Sequence, residues 1–64
     1  MKAADIQVGD LLLLKKDNPY GIEAAALRVD EIRTKDGYLT PWIIVDGWGA
    51  FRPKDFARKI RHDS

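Results

Sequence analysis

The chain has 64 residues, no cysteine and a formal net charge of +1, which suits one small domain with a modest core. Without cysteine and with a single histidine, neither a disulfide framework nor a zinc site is expected, and we predict no cofactor. The longest apolar runs, such as residues 11–14, are far shorter than the about 20 residues of a membrane span. The N-terminus lacks an apolar leader, so we expect a cytoplasmic protein with no membrane partner.

The first segment, residues 4–10, predicts a short lead-in to the fold. Ile6 and Val8 alternate with polar neighbours, and we expect both side chains to lie under the core. Gly9-Asp10 then forms a turn pair. A strand is predicted over residues 11–16, because its four leucines are too few, and too sharply bounded by turn residues, for a helix.

Residues 17–21 have loop composition, and the next segment, residues 22–33, is ambiguous. Its first half has good helix propensity, whereas its second half alternates apolar and polar residues with one slip. Alternation from Val29 would place an apolar residue at position 31, but Glu31 stands there and Ile32 follows. A β-bulge in a long bent strand produces such a slip. We favour the strand and keep the helix as the alternative.

Two hairpins with Asp-Gly at their turns follow. The first turn covers residues 34–37 and leads into a strand over residues 38–45, in which Pro41 should lie at a bulge, a kink or an outward edge position. The second turn, Asp46-Gly47, joins residues 42–45 to a strand over residues 48–52 and should place Val45 opposite Trp48. Alternation puts Trp42 and Ile44 on one face, and Ile43 and Val45 on the other.

Pro53 opens a turn after the second hairpin, and two structures are compatible with the chain that follows. Residues 57–61 can form a short last strand, or residues 53–62 can form a helix with proline at its first position. Both alternatives direct Phe56 and Ile60 inward. The strand alternative completes an all-β domain over residues 1–64, a small five-stranded antiparallel barrel with a Pro-led single turn before the last strand.

At two places the chain resembles the SH3-like barrel family in its broad sense. Val8-Gly9-Asp10 before an apolar strand is similar to the step that opens the first main strand of that family. Residues 49–60 are similar to its ending, a Gly-x-aromatic strand, a Pro-led turn, an inward aromatic and a short final strand. Here Arg52 is one extra residue before the proline. The resemblance implies a binding domain, and fold alone does not define its ligand.

Within that family, the spacing of Arg28-Val29-x-x-Ile32 and Gly37 is similar to KOW-type and Tudor-like barrels. Many of those barrels bind nucleic acid or the machinery that handles it. The chain lacks the Trp-Trp pair and the acid-rich loop of the branch that binds proline-rich peptides, so the resemblance does not imply that ligand class.

An enzyme is not expected. His62 lies near the C-terminal end, and Thr34, Thr40 and Ser64 are the aliphatic hydroxyls of the chain. Nucleophilic or general acid–base catalysis needs such groups to be held within hydrogen-bond reach of each other. The scattered carboxylates form no spaced pair, since four of the eight aspartates stand in predicted turns.

The remaining candidates are aromatic and basic side chains. Phe51, Phe56 and Trp48 suit the core or its edges, while Tyr20 and Trp42 are better placed for exposure. Charge is uneven, since residues 1–51 have six basic and eight acidic side chains, whereas residues 52–64 have five basic and two acidic ones. The predicted binding residues are Tyr20, Trp42, Trp48, Arg52, Lys54, Arg58, Lys59 and Arg61.

These residues support two functions. In the first, the basic residues contact phosphates of a nucleic acid, or a complex that handles it, while Tyr20, Trp42 or Trp48 stacks on bases. In the second, the domain is a protein-interaction module or a small inhibitor that uses the same aromatic face or adds a strand at an open edge. A homo-oligomer is a further expectation, because a short chain with four consecutive leucines can bury them against a second copy.

Overall fold

The computed structural model describes residues 1–35, 40–47 and 49–62. Its elements are five strands, β1 (Asp10–Leu14), β2 (Ala26–Arg33), β3 (Trp42–Val45), β4 (Gly49–Phe51) and β5 (Phe56–His62), and two 3-10 turns, Ala3–Asp5 and Pro53–Asp55. No α-helix occurs within the described ranges. The predicted all-β class with five antiparallel strands is therefore confirmed.

The strands form one antiparallel sheet in the order β4-β3-β2-β1-β5. In the described part of the chain β4 pairs only with β3, and β5 only with β1. The sheet is therefore not closed into a barrel, which corrects that part of the expectation. The Pro53–Asp55 turn carries the chain from one edge strand to the opposite edge, and the two edges do not join.

Strand β2 bends the sheet around the core. Its first residues pair with β1, whereas Val29 and residues 31–33 pair with β3. The register shifts between Val29 and Glu31, so Asp30 is the extra residue of a β-bulge. The predicted bulge is confirmed at the position of the slip. The helix alternative for residues 22–33 is wrong, although the strand begins at Ala26 rather than at residue 22.

The core lies on the inner face of the bent sheet. Burial alternates along β1, where Leu12 and Leu14 are fully buried and the two leucines between and before them are half-buried. The buried apolar side chains are Ile6, Leu12, Leu14, Leu27, Val29, Ile43, Val45, Phe51 and Phe56. One face of β1 therefore belongs to the core and the other remains partly accessible.

The hairpin between β3 and β4 turns at Asp46-Gly47 as predicted. Both residues have positive φ, 47° and 71°, the conformation for which Asp-Gly is selected in tight hairpins. The register differs from the expectation, because Val45 pairs with Gly49 and not with position 48. Trp48 itself lies outside the described residues.

The tip of the first predicted hairpin, residues 36–37, and the start of its second strand, residues 38–39, also lie outside the described residues. Strand β3 begins at Trp42, directly after Pro41. The proline therefore precedes the strand, where its missing N–H removes no ladder hydrogen bond.

The Pro-led turn and the last strand are confirmed in their strand alternative. Pro53 is the first residue of the 3-10 turn, and the Asp55 carboxylate accepts the Arg52 N–H at 2.9 Å. Phe56 follows at once as the first residue of β5 and is fully buried. The helix alternative for residues 53–62 is wrong.

Two apolar residues expected in the core are exposed. Val8 is 55% exposed because it lies at the tip of a turn, which the Asp10 N–H closes on the Gln7 carbonyl at 3.1 Å while Gly9 has φ 94°. Ile60 is 39% exposed because β5 shifts register twice against β1, and Ala57 and Ile60 are the extra residues. Strict alternation from Phe56 fails at those bulges.

Candidate functional site

Trp42 lies on the outer face of the sheet, away from the core. Along β3, Ile43 and Val45 are buried, whereas Trp42 and Ile44 are half-buried on the opposite face. The predicted division of these four residues between two faces is confirmed. The indole therefore lies at the surface, supported by a strand whose other face is anchored in the core.

Arg52 covers this indole. Its guanidinium carbon lies 3.7 Å from the centroid of the Trp42 ring, a cation–π contact. One terminal nitrogen also donates to the Thr40 carbonyl at 2.6 Å and to Thr40 Oγ1 at 3.3 Å. The backbone of Arg52 is held by Asp55, as described above. The cation is thus positioned over the ring by the protein itself.

A surface depression of about 240 Å³ adjoins the pair and is lined by Arg33, Trp42, Ile44 and Ala50. Strand pairing brings these residues together, since Arg33 lies opposite Trp42, and Ala50 lies opposite Ile44. Directly opposed residues of an antiparallel pair share one face. We call this site the Trp42 depression. Ile44 and Ala50 give it apolar lining, and Arg33 forms an exposed ion pair of 2.6 Å with Glu31.

Tyr20, which was also predicted as a binding residue, is 44% exposed. Both its ring and its hydroxyl have partners. Its ring meets Phe51 edge-on, with centroids 5.0 Å apart and planes at 87°. Its hydroxyl donates to Asp55 Oδ2 at 2.8 Å. Partial burial, followed by the hydrogen bond and the negative charge of Asp55, raises the pKa of Tyr20 above its ordinary value of 10. Tyr20 therefore reaches the same carboxylate that holds Arg52.

Asn18 shapes the loop that presents Tyr20. Its side-chain nitrogen donates to the carbonyls of Lys15, at 2.9 Å, and Ile22, at 2.6 Å. Its side-chain oxygen accepts the N–H of Tyr20 at 3.1 Å and that of Ile22 at 3.2 Å. The amide thus bridges both sides of the loop, as a backbone turn would.

The predicted basic residues do not form one strip. Arg52 joins Trp42, and Lys54 is exposed on the Pro-led turn. Arg58 and Arg61 are exposed on the outer face of β5, opposite leucines of β1. Lys59 points inward, and its Nζ lies 3.0 Å from the buried Asp10. These residues are close together in the sequence, but the Pro-led turn and strand β5 place them on different surfaces of the protein.

Asp10 is fully buried and has three partners. Oδ2 accepts the Gln7 N–H at 2.7 Å and faces Lys59, while Oδ1 lies 2.6 Å from His62 Nδ1. Burial alone would raise the pKa of the Asp10 carboxyl, but the Gln7 N–H, His62 and Lys59 together hold it below the ordinary 3.8. The cluster joins the turn before β1 to the end of β5.

Folding stability should fall in acid because of Asp10. A lowered pKa in the folded state means that the unfolded chain binds the proton more tightly, so this contribution is complete above about pH 4 and is lost below it. Urea unfolding of wild type and Asp10→Asn between neutral pH and pH 3 measures it. The gap in unfolding free energy should narrow below pH 4. A difference in unfolding free energy that does not change with pH would contradict an ionised Asp10 carboxylate in the folded protein.

One residue of the depression was not predicted from the sequence, Arg33. It lies in β2, the segment left open between helix and strand, and is exposed. The signal in the sequence is its polar position in a segment that alternates apolar and polar residues. Its place in the depression comes from its pairing with Trp42 of β3.

Within the described residues, no group of three or more potential His, Cys, Asp or Glu ligands could hold a metal ion. The described part of the chain also contains no helix that is both long and apolar enough to cross a membrane. Comparison with protein-family models, with curated proteins and with solved structures gives no match.

Proposed function

We propose that the protein is a non-catalytic binding module with an SH3-like architecture. Support for the architecture comes from the strand order β4-β3-β2-β1-β5, the bent second strand and the Pro-led 3-10 turn before the last strand. Support for a binding role comes from the Trp42 depression, which is lined by a half-buried indole, two apolar side chains and the Arg33 guanidinium, with Arg52 over the indole.

The ligand that we propose for the Trp42 depression is single-stranded nucleic acid. The observation that carries this proposal is the Arg52 guanidinium, held over the Trp42 ring beside the open depression. An unpaired base is flat and stacks on aromatic rings and on guanidinium planes. Ile44 and Ala50 line the depression beside the indole and offer such a base apolar contact. A paired base would not expose the face that this recess accepts.

A protein partner at the same depression is the second candidate. Ile44 and Ala50 give the depression apolar lining, and tryptophan and arginine are enriched where protein interfaces gain most of their binding energy. The other form of this candidate, strand addition at an open edge, has less support at β5, because its two bulges interrupt the regular pairing surface.

Replacing Trp42 with alanine should weaken binding of an oligodeoxythymidylate of about 12 nucleotides by roughly tenfold or more, because stacking contributes about 1–3 kcal/mol per base. The measurement is fluorescence titration at low salt in a Trp48→Phe background, where Trp42 is the remaining indole. Quenching of that indole on binding is the expected result in the parent protein.

Trp42→Phe is the matched control, since it keeps an aromatic face and should retain most of the affinity. Urea unfolding of each variant separates lost binding from lost folding. The proposal is overturned if the parent protein shows no binding at about 50 mM salt, where phosphate contacts are strong. Equal affinity of the alanine and phenylalanine variants would also overturn the stacking role.

A further inference from the structure

A carboxylate lies beside the Trp42 depression. On the outer face of the sheet, Arg33 pairs with Trp42 in one row, and in the next row Glu31 pairs with Ile44, which pairs with Ala50. Four of these five residues line the depression. Glu31 is the fifth, and it shares the outer face with Arg33 because side chains two positions apart in a strand point the same way.

Glu31 and Arg33 are held side by side by their own ion pair. Arg33 Nη2 donates to Glu31 Oε2 at 2.6 Å, and the two side chains are 50% and 62% exposed, respectively. An ion pair this open to water adds little to folding stability. A ligand in the depression can therefore hydrogen-bond to both groups from the solvent side without separating them.

The neighbouring carboxylate of β2 lies at a different place. Asp30 is the extra residue of the bulge, and its Oδ2 is 3.7 Å from the position that a Cβ on Gly47 would take. Asp30 thus lies against the turn between β3 and β4, whereas Glu31 faces the depression. A carboxylate opposes the approach of phosphate, so a nucleic acid bound here should offer Glu31 a hydrogen-bond donor instead.

The hydrogen-bonding edge of guanine matches this pair of side chains. A guanidinium only donates, and a carboxylate only accepts. The Watson–Crick edge of guanine presents the O6 acceptor followed by two adjacent donors, N1–H and the 2-amino group. The two oxygens of a carboxylate suit adjacent donors, and arginine suits O6. Adenine, cytosine and thymine do not present two adjacent donor groups on that edge.

We propose that the Trp42 depression selects guanine from single-stranded nucleic acid. Glu31 accepts from N1–H and the 2-amino group, Arg33 donates to O6, and the plane of the base contacts Trp42 and Ile44. This inference rests on the proposed function, since the base must first enter the depression. It gives the carboxylate a role in base selection, while the indole contributes stacking that is similar for all bases.

The test compares three forms of the oligodeoxythymidylate, unchanged or with one central residue replaced by deoxyguanosine or by deoxyinosine. Inosine is also a purine but lacks the 2-amino group, so stacking is similar and one donor to Glu31 is lost. In the Trp48→Phe background, the guanosine form should bind about fivefold or more tightly than the inosine form, as expected for a specific contact to a base edge.

Glu31→Ala should bind the guanosine and inosine forms equally, without loss of affinity for the unchanged oligonucleotide. Glu23→Ala is the matched control, because Glu23 is an exposed carboxylate in the segment before β2 and its removal alters the net charge by the same amount. This variant should keep the preference for guanosine. Urea unfolding confirms that both variants fold.

Equal affinity of the parent protein for the guanosine and inosine forms would overturn the inference, even where Trp42→Ala weakens binding of the unchanged oligonucleotide as proposed. A preference that persists in Glu31→Ala would also overturn it. Loss of the preference in Glu31→Ala, with Trp42→Ala without effect, would support guanine selection and overturn the stacking role. Absence of binding of all three oligonucleotides would overturn both proposals.

Discussion

Replacing Phe56 with alanine is expected to cost about 3–5 kcal/mol of folding free energy, because it leaves a large cavity at a fully buried site. Phe56 lies opposite Leu14 and has its ring centroid 5.8 Å from that of Phe51. A domain of 64 residues has a total stability of only about 3–10 kcal/mol. Urea or thermal unfolding should show a variant that is largely unfolded or close to it.

Ile60→Ala is the control for this prediction, since it removes apolar atoms four positions further along the same strand. Ile60 is 39% exposed at a bulge, so its replacement should cost less than about 1 kcal/mol. The contrast tests the register of β5 directly. A strand without bulges would make both residues part of the core, and comparable losses from the two substitutions would contradict the structure.

Replacing Asp10 with alanine is expected to cost about 2–3 kcal/mol, the second largest effect. The substitution removes the acceptor of the Gln7 N–H and leaves Lys59 and His62 without their buried partner. The side chains of Lys59 and His62 are 34% and 40% exposed, so water replaces part of what they lose. The lost backbone hydrogen bond and the vacated interior make the main contributions. Urea unfolding at neutral pH measures the change.

Asp5→Ala provides the comparison for Asp10. Asp5 is an exposed carboxylate in the first 3-10 turn, and its removal alters the net charge by the same amount. Its replacement should change the unfolding free energy by less than about 0.5 kcal/mol. Similar losses for the two variants would show that overall charge, and not the cluster around Asp10, is responsible.

Much of the fold could be predicted because it depends on local signals. Asp46-Gly47 favours positive φ, Pro53 favours a turn that starts with fixed φ, and the slip after Val29 reflects the bulge at Asp30. Each of these features is determined by residues within a few positions of each other. For this reason the turns at Asp46-Gly47 and Pro53 and the bulge in β2 were predicted correctly from the sequence.

The candidate site was predicted only in part, because it is built from residues of different strands. Trp42 and Arg52 were both named from the sequence, and the structure places them in contact. Arg33 was not named, since its role depends on its pairing with Trp42, and the sequence does not define the register between β2 and β3. Lys59 was named as a binding residue, yet it forms an ion pair with Asp10 at the other end of the chain.

Local signals predict the all-β class, the turns at Asp46-Gly47 and Pro53, and the division of β3 into a buried and an outer face, because period-two alternation and turn chemistry act within a few residues. Long-range pairing sets which side chains of β5 face outward. Its two bulges arise from pairing with β1, more than 40 residues away in the chain, and they turn Ile60 out and Lys59 in. They also place Arg58 and Arg61 beside Leu11 and Leu13. The outward and inward faces of β5 are therefore set by contacts that no local pattern of the sequence reports.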